Sequence, residues 1–597
     1  MLSPESRSVA TEILRPPVGY TLEHAMITTY SLDLDVILAL PLAVLAQSDQ
    51  GIEELLADPM LTLEALREAG QRLDIFVDES SIGVPRTHRA LYAMLEDSVH
   101  PTRAPNEGAF HPKLWVVRFG SESETPLLRV AILSRNLTYD RSWDIALVSE
   151  ASPESRSALE PSQALGDLLS TLPNLAIHGI DPAKTERLQS LAGLASRCAF
   201  PAPDRFKNPI YFEALGLEQG LTEPWYPWER GDDLLAIAPF VNVTGLKALA
   251  ERSNGQRTLI SRREALDDLP ESAFEPWHEV MMLSESAIDE AEDEMDSSSD
   301  LHAKLIALEH GSRVTWYLGS ANFTAAAYTG RNVELIASIN GPLDQRKNTG
   351  GYGISQFKES GFLNLCEPYH RLEKTPEHPA LGVAREQLER CRRELTRSGL
   401  RVSCEPDDDR WRWTIHGAPA IPEEVKVEAW PVSVRADQAK ELCHEPGWSL
   451  PLDRLTAFVA FRLSVAADVD DLRFVLKVPV SGMPDGRVAQ ILRGLIDTPE
   501  RFLQFLRALL GGLEGMTGWA ESEPGAGWEG DWGSSLGGET LLEDLVRAAA
   551  RDPQRLAPIR RLITDLQSSE DGQSIVPEDF LAIWRVVEAS VAKADQS

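Results

Sequence analysis

Two phrases in this chain hold residue types suited to phosphodiester chemistry, and they hold them in the same order. The first reads FHPKLWVVRFG and then LLRVAILSRNLTYDRSWDIALV; the second reads LHAKLIALEHGSRVTWYLGSANFTAAAYTGRNVELIASI. His111 and Lys113 head one apolar run and Asn136 follows the next, and His302, Lys304 and Asn322 repeat that order about 190 residues later. Breaking a phosphodiester takes a nucleophile, a proton donor for the departing oxygen and positive charge around the oxygens where negative charge collects. Imidazole suits the first two tasks near neutral pH. An ammonium binds phosphate as a point charge, and a carboxamide adds hydrogen-bond donors. Each phrase supplies half of this set, and two facing each other supply all of it without a metal or other cofactor. A lone His-x-Lys is uninformative. Two of them, each followed by an Asn beyond a second strand and then by an acidic residue, are an internal repeat.

The pattern resembles the phospholipase D superfamily, whose two HxK…N motifs meet at one shared active site. Gly319-Ser320-Ala321-Asn322 matches that superfamily's GSxN fully, and Ser134-Arg135-Asn136 matches it in part. Five residues after each Lys, where the superfamily usually carries Asp, stand Arg118 and Glu309. In that respect the chain is more similar to the tyrosyl-DNA phosphodiesterase branch, which has His, Lys and Asn without the Asp. The resemblance covers residues 20–375. It implies a phosphohistidine intermediate in which one His attacks phosphorus while the other protonates the leaving group and then activates water. On that basis His111 is the expected nucleophile and His302 the general acid, with the reverse assignment open. Asp144 in SWDIALV and Glu334 in NVELIAS match the family's downstream acidic residue, and an imidazole in these roles needs its second nitrogen oriented by an acceptor. Ser134, Ser320 and Thr324 are candidate substrate-binding hydroxyls, with helix capping the alternative use of Ser320 and Thr324.

These residues need strands to place them. Period-two alternation over 111–119 would point His111 and Lys113 to one face of a strand. The run 127–134 would deliver Asn136 just past its C-terminal end, where ligands sit in open α/β sheets. Strands at Met26–Ser31 and 72–78, a helix over His88–Leu95 and helices within 155–200 complete the first half. The segments 232–242 and 257–262 begin the second. The fold class expected is α/β: two pseudosymmetric phospholipase D-like halves, residues 1–205 and 206–375, sharing one active site. A connecting helix and a β-rich domain, read as a sandwich, follow over 376–485. Residues 486–597 read as a helical region with a Gly- and Trp-rich loop containing Trp519, Trp528 and Trp532.

Composition narrows the partners. A net charge of −34 speaks against broad, sequence-independent adhesion to nucleic acid, which needs basic groups to displace counterions, yet it allows a local positive groove. Cys198, Cys366, Cys391, Cys404 and Cys443 lack metal-ligand spacing and read as small buried hydrophobes in a reducing compartment. No apolar run reaches membrane-spanning length and the start has no signal-peptide pattern, so no membrane anchor and a cytoplasmic location are expected. Residues 284–300 carry eight acidic side chains directly before His302. They read as a solvated loop, or as an anionic segment competing with substrate phosphate. The leading reading is a metal-independent phosphodiesterase with a nucleic acid substrate, a nuclease or DNA-end-processing enzyme. Members with such a C-terminal module are similar to bacterial nucleases found with helicases in defence against phage, which implies a helicase-like protein partner at the C-terminal region. A phospholipase, and a scaffold that binds phosphate without turnover, are the alternatives.

Overall fold

The computed structural model describes residues 10–38, 72–227, 230–284, 300–343, 352–371, 379–487, 556–567 and 575–594, apart from 122, 139–141, 360 and 444, together with isolated positions elsewhere. The acidic segment at 285–299 and the Gly- and Trp-rich loop lie outside the described residues, as does most of 488–555 within the helical region expected over 486–597.

The first half contributes β1 (Thr21–Thr29), β2 (Leu73–Asp78), β3 (Val99–Thr102), β4 (Leu114–Gly120), β5 (Leu127–Leu133), β6 (Ser142–Trp143) and β7 (Ala146–Ala151). The second contributes β8 (Lys207–Leu215), β9 (Leu234–Ile237), β10 (Arg257–Ser261), β11 (Glu279–Leu283), β12 (Asp300–Leu301), β13 (Leu305–His310), β14 (Arg313–Gly319), β15 (Glu334–Pro342) and β16 (Cys366–Pro368). One sheet has the order β3-β2-β1-β4-β5-β7 and the other the order β16-β11-β10-β9-β13-β14-β15-β8. Six strands of the second sheet therefore repeat the order of the first. The sense repeats as well, with the first two pairings parallel and the next three antiparallel in each sheet.

Strands that read as continuous apolar runs, such as LDIFVD in β2 and LLAI in β9, are buried on both faces, as expected of parallel strands covered on each side. Alternation sorts β1 and β4 between two cores. Met26, Leu114 and Val116 join Leu305, Ala307 and Leu335 of the other sheet beneath the helices Glu160–Leu175 and Pro182–Ala195. Ile27, Trp115 and Val117 face the opposite way, into an apolar cluster that continues into the C-terminal part of the chain. A third core lies on the far face of the second sheet, around Leu246 and Leu249 of the helix Val243–Ala250.

The C-terminal part contains two four-stranded sheets within 401–481. Val402, Trp413, Phe458 and Phe461 share one apolar cluster with Ile27 and Trp115 of the first half and with Leu388, Cys391 and Leu395 of the helix Pro379–Arg397. Glu96 fastens the same joint. It receives Arg487 bidentately at 3.0 and 2.7 Å, Thr456 Oγ1 at 2.9 Å and the Ala457 amide at 2.8 Å. Three arginines of Pro379–Arg397 are ion-paired: Arg390 with Glu386, Arg392 with Glu389 and Arg397 with Glu107.

Other expectations shift in detail. The stretch over 88–95 is a 3-10 helix, Ala90–Leu95. Cys198, Cys391 and Cys404 are buried, whereas Cys366 is half-buried and Cys443 exposed. Among the described residues no helix is long and apolar enough to cross a membrane.

At the end of the first sheet remote from the HxK residues, Asp74 is fully buried between two imidazoles. His24 Nε2 and His100 Nε2 each lie 2.8 Å from a carboxylate oxygen, and Lys184 Nζ lies 3.4 Å from one of them. Burial opposes the charge, but the bonds to His100 and His24 outweigh it and hold the carboxyl below its ordinary value. Because the folded value is depressed, this contribution is present at neutral pH and fades only as acid protonates the carboxylate. Asp74→Asn, which leaves the Lys184 ammonium without its anion, should cost roughly 3–5 kcal/mol in denaturant unfolding. A loss under about 0.5 kcal/mol, the usual range of surface changes, would show that the cluster adds no stability.

Candidate active site

His111, Lys113, His302 and Lys304 sit one to three residues before their strands, since β4 begins at Leu114 and β13 at Leu305. The sequence expectation of a strand starting at His111 is corrected for a physical reason. The segment that carries His111 is recruited by the other half: Phe110 bridges Val333, Val333 donates to Ala109 O (3.0 Å) and His111 donates to Val333 O (3.0 Å). The second segment does the reciprocal thing. Leu301 of β12 pairs with Trp143 of β6, and the amides of His302 and Ala303 both donate to Trp143 O, at 3.0 and 2.9 Å. Val333 precedes Glu334 and Trp143 precedes Asp144, so each HxK segment is laid against the acidic residue of the opposite half.

This docking demands close backbone approach. A Cβ at Gly108 would lie 2.2 Å from Arg331 O, and one at Gly319, whose φ is +155°, would lie 2.2 Å from Leu335 O. Glycine is thus required at the head of GSAN, where the strand end is pressed against β15.

For His111 the result is a defined hydrogen bond. Its Nδ1 is 3.0 Å from Glu334 Oε2, and Glu334 is fully buried. Ser320 Oγ donates to the same carboxylate oxygen and Asn332 Nδ2 to the other at 3.3 Å. Burial works against the charge on Glu334, but His111, Lys113 and the Ser320 hydroxyl prevail and hold the carboxyl below its ordinary value. Burial lowers the His111 imidazole to about 4, with Lys113 and Lys304 adding to the effect and Glu334 opposing it. The two directions agree on one state: an ionised carboxylate accepting from a neutral imidazole. The Nδ1 proton is committed to Glu334, and the lone pair is on Nε2.

The lysines are buried, and each folds back on its own segment. Lys113 Nζ donates to His111 O at 3.0 Å and Lys304 Nζ to His302 O at 2.7 Å. Burial and then the Lys304 charge push Lys113 well below an ordinary lysine. A cation depressed by a neighbouring cation is relieved by an anion placed between the two. The carboxamide oxygens of Asn136 and Asn322 are buried without a hydrogen-bond partner among the described residues.

The structure gives the candidate hydroxyls other partners. Ser134 and Ser320 are fully buried. Ser134 Oγ donates to Asp144 Oδ1 (3.1 Å) and accepts the Ile145 amide (2.8 Å), while Ser320 Oγ donates to Glu334 and accepts the Leu335 amide (3.0 Å). They hold the acidic residues in place rather than lining a phosphate site. Thr324 Oγ1 accepts the Ala327 amide at 3.3 Å and caps a short helix. Asp144 also accepts from Ser142 Oγ at 3.3 Å.

Three contributors carry no motif. Tyr30 packs its ring 5.2 Å from the His111 ring and 5.8 Å from Lys113 Nζ. Asp78 accepts the Phe110 amide at 3.0 Å, anchoring the residue before His111. Asn332, besides binding Glu334, accepts the Ala109 amide at 3.0 Å. Their signal in the sequence is only position: Tyr30 and Asp78 at strand ends, Asn332 two residues before the acid. Among the described residues no group of three or more His, Cys, Asp or Glu side chains is arranged to hold a metal ion.

No family model matches the chain, and no curated protein matches it. Among solved structures, yeast tyrosyl-DNA phosphodiesterase is similar over 57% of this chain and 87% of its own, at 11% identity and a TM-score of 0.31. Two mutants of that yeast enzyme are similar at 12% and 10% identity, covering 55% and 57% of this chain and 84% and 89% of theirs, with TM-scores of 0.32 and 0.33.

Proposed function

We propose that this chain is a metal-independent phosphodiesterase of the phospholipase D type, a nuclease or DNA-end-processing enzyme. The observation that carries the reading is the cross-half bond from His111 Nδ1 to the buried Glu334 carboxylate at 3.0 Å, beside the Lys113 ammonium, which burial and the Lys304 charge push well below an ordinary lysine. A neutral imidazole so oriented is a nucleophile through Nε2 at neutral pH.

In the first step His111 Nε2 attacks phosphorus, the P–O bond to the leaving group breaks, and the departing oxygen takes a proton from His302. In the second, His302 removes a proton from water as its oxygen attacks phosphorus, and the P–N bond breaks to restore His111. Lys113, Lys304, Asn136 and Asn322 bind the non-bridging oxygens, where charge grows. The nucleic-acid substrate follows from the resemblance carried by the two HxK…N motifs.

The test is hydrolysis of bis(p-nitrophenyl) phosphate and of a single-stranded oligonucleotide in excess EDTA. Turnover undiminished by the chelator is expected. Activity that vanishes with EDTA and returns with a divalent cation would overturn the metal-independent mechanism, and no hydrolysis of either substrate would overturn the enzyme reading.

A further inference from the structure

The second half leaves an aromatic ring in water at the strand ends that carry its HxK and Asn residues. Phe240, between β9 and the helix Val243–Ala250, is 51% exposed, and Val243 is exposed beside it in sequence. The Arg262 guanidinium lies 5.0 Å from the centre of the Phe240 ring. Backbone contacts bind both residues to the candidate site. Phe240 O accepts the Phe323 amide at 3.2 Å, next to Asn322, and Arg262 Nε donates at 2.8 Å to the carbonyl of Leu301, which precedes His302.

The fold itself does not call for a ring there. Val241 bridges Phe323 just as Leu32 bridges Leu137, and Asn242 donates to Phe323 O as Asp33 donates to Leu137 O. Phe323 and Leu137 follow Asn322 and Asn136, so the first-half counterpart of Phe240 is Ser31. An exposed phenyl group at one of two equivalent positions, held beside an arginine, is a surface in search of a flat ligand.

We propose that Phe240 and Arg262 form a stacking platform for one unpaired nucleobase adjacent to the phosphate in the cradle, making the substrate single-stranded or frayed nucleic acid. The proposal deepens the phosphodiesterase reading and rests on it for the position of the phosphate. A chain of net charge −34 gains little from wide counterion release, so its grip on a polyanion must come from a few local contacts. Stacking supplies such a contact for any base, because every base has a π-face, and a guanidinium strengthens it. A base within a duplex has both faces covered and cannot use the ring. Since Ser31 replaces the ring in the first half, only one side of the scissile phosphate is gripped.

The experiment uses full-length protein carrying His111→Ala, so that no cleavage intervenes, and a short single-stranded DNA with 2-aminopurine placed on each side of the central phosphate in turn. The expected result is strong fluorescence quenching at one of the two positions. Adding Phe240→Ala should abolish that quenching and weaken binding about tenfold or more, and Phe240→Trp should restore both. Quenching and affinity indifferent to residue 240, or binding of the duplex probe alone, would overturn the platform. Cleavage of the same DNA by protein with native His111 is scored separately. Phe240-dependent quenching without His111-dependent cleavage would sink the phosphodiesterase reading and keep the platform, and the converse pair would do the reverse.

Discussion

His111→Ala is expected to remove essentially all turnover, a fall in kcat of about 10⁴-fold or more, whereas His302→Ala should fail in a different and diagnostic way. The first substitution deletes the imidazole whose Nδ1 is fixed by the buried Glu334 carboxylate. On the proposed mechanism the second deletes the proton donor and leaves the nucleophile. With bis(p-nitrophenyl) phosphate the leaving p-nitrophenolate departs without protonation, so His302→Ala should release one equivalent of product in a burst and then stall for want of a base to activate water. A burst from His111→Ala and none from His302→Ala would exchange the two roles. Equal, near-native turnover in both would end the covalent mechanism.

Glu334→Gln is the second large effect, roughly 10²- to 10⁴-fold in kcat. A carboxylate can only accept from Nδ1, which keeps the lone pair on Nε2. A carboxamide can rotate and donate instead, trapping the tautomer whose Nε2 carries a proton and cannot attack. The pH profile separates this from a simple charge effect. In the wild type His111 is lowered to about 4, so kcat/KM should lose activity on the acid side near that value rather than near an ordinary histidine. Glu334 raises His111 against burial and the two lysines, and its loss moves the imidazole further down, not up. The defect of Glu334→Gln should therefore be flat across the neutral range. A variant whose rate recovered at high pH would show that Glu334 sets protonation rather than orientation.

Much of this was legible before any coordinates. The repeated HxK…N order picks out candidate residues, and apolar runs in the same succession predict two sheets, whose strand orders match in the structure. What pattern alone could not give was the exchange between halves. Whether Glu334 orients His111 or His302 depends on how two sheets dock, and nothing within NVELIAS encodes its partner. The serines show the same limit: Ser134 and Asp144 are ten residues apart and Ser320 and Glu334 fourteen. That difference hides a common bond whose equivalence is set by backbone pairing. Thr324 was legible either way, because a hydroxyl at a helix start has a cap to make whenever a free amide lies three residues on. In the C-terminal part, alternation in EVKVEAW and FVAFRLSV reveals a strand with one buried face. It is silent on what buries that face, and here the helix Pro379–Arg397 packs against both strands, inside an apolar cluster that also takes in Ile27 and Trp115 of the first half.

The most direct test of the account is to quench His302→Ala during its burst in base, digest it and locate the phosphoryl group by mass spectrometry and ³¹P NMR. The prediction is a base-stable, acid-labile adduct on Nε2 of His111, the nitrogen left open when Glu334 holds Nδ1. An adduct on another residue, or a completed burst with no phosphorylated histidine, would contradict it.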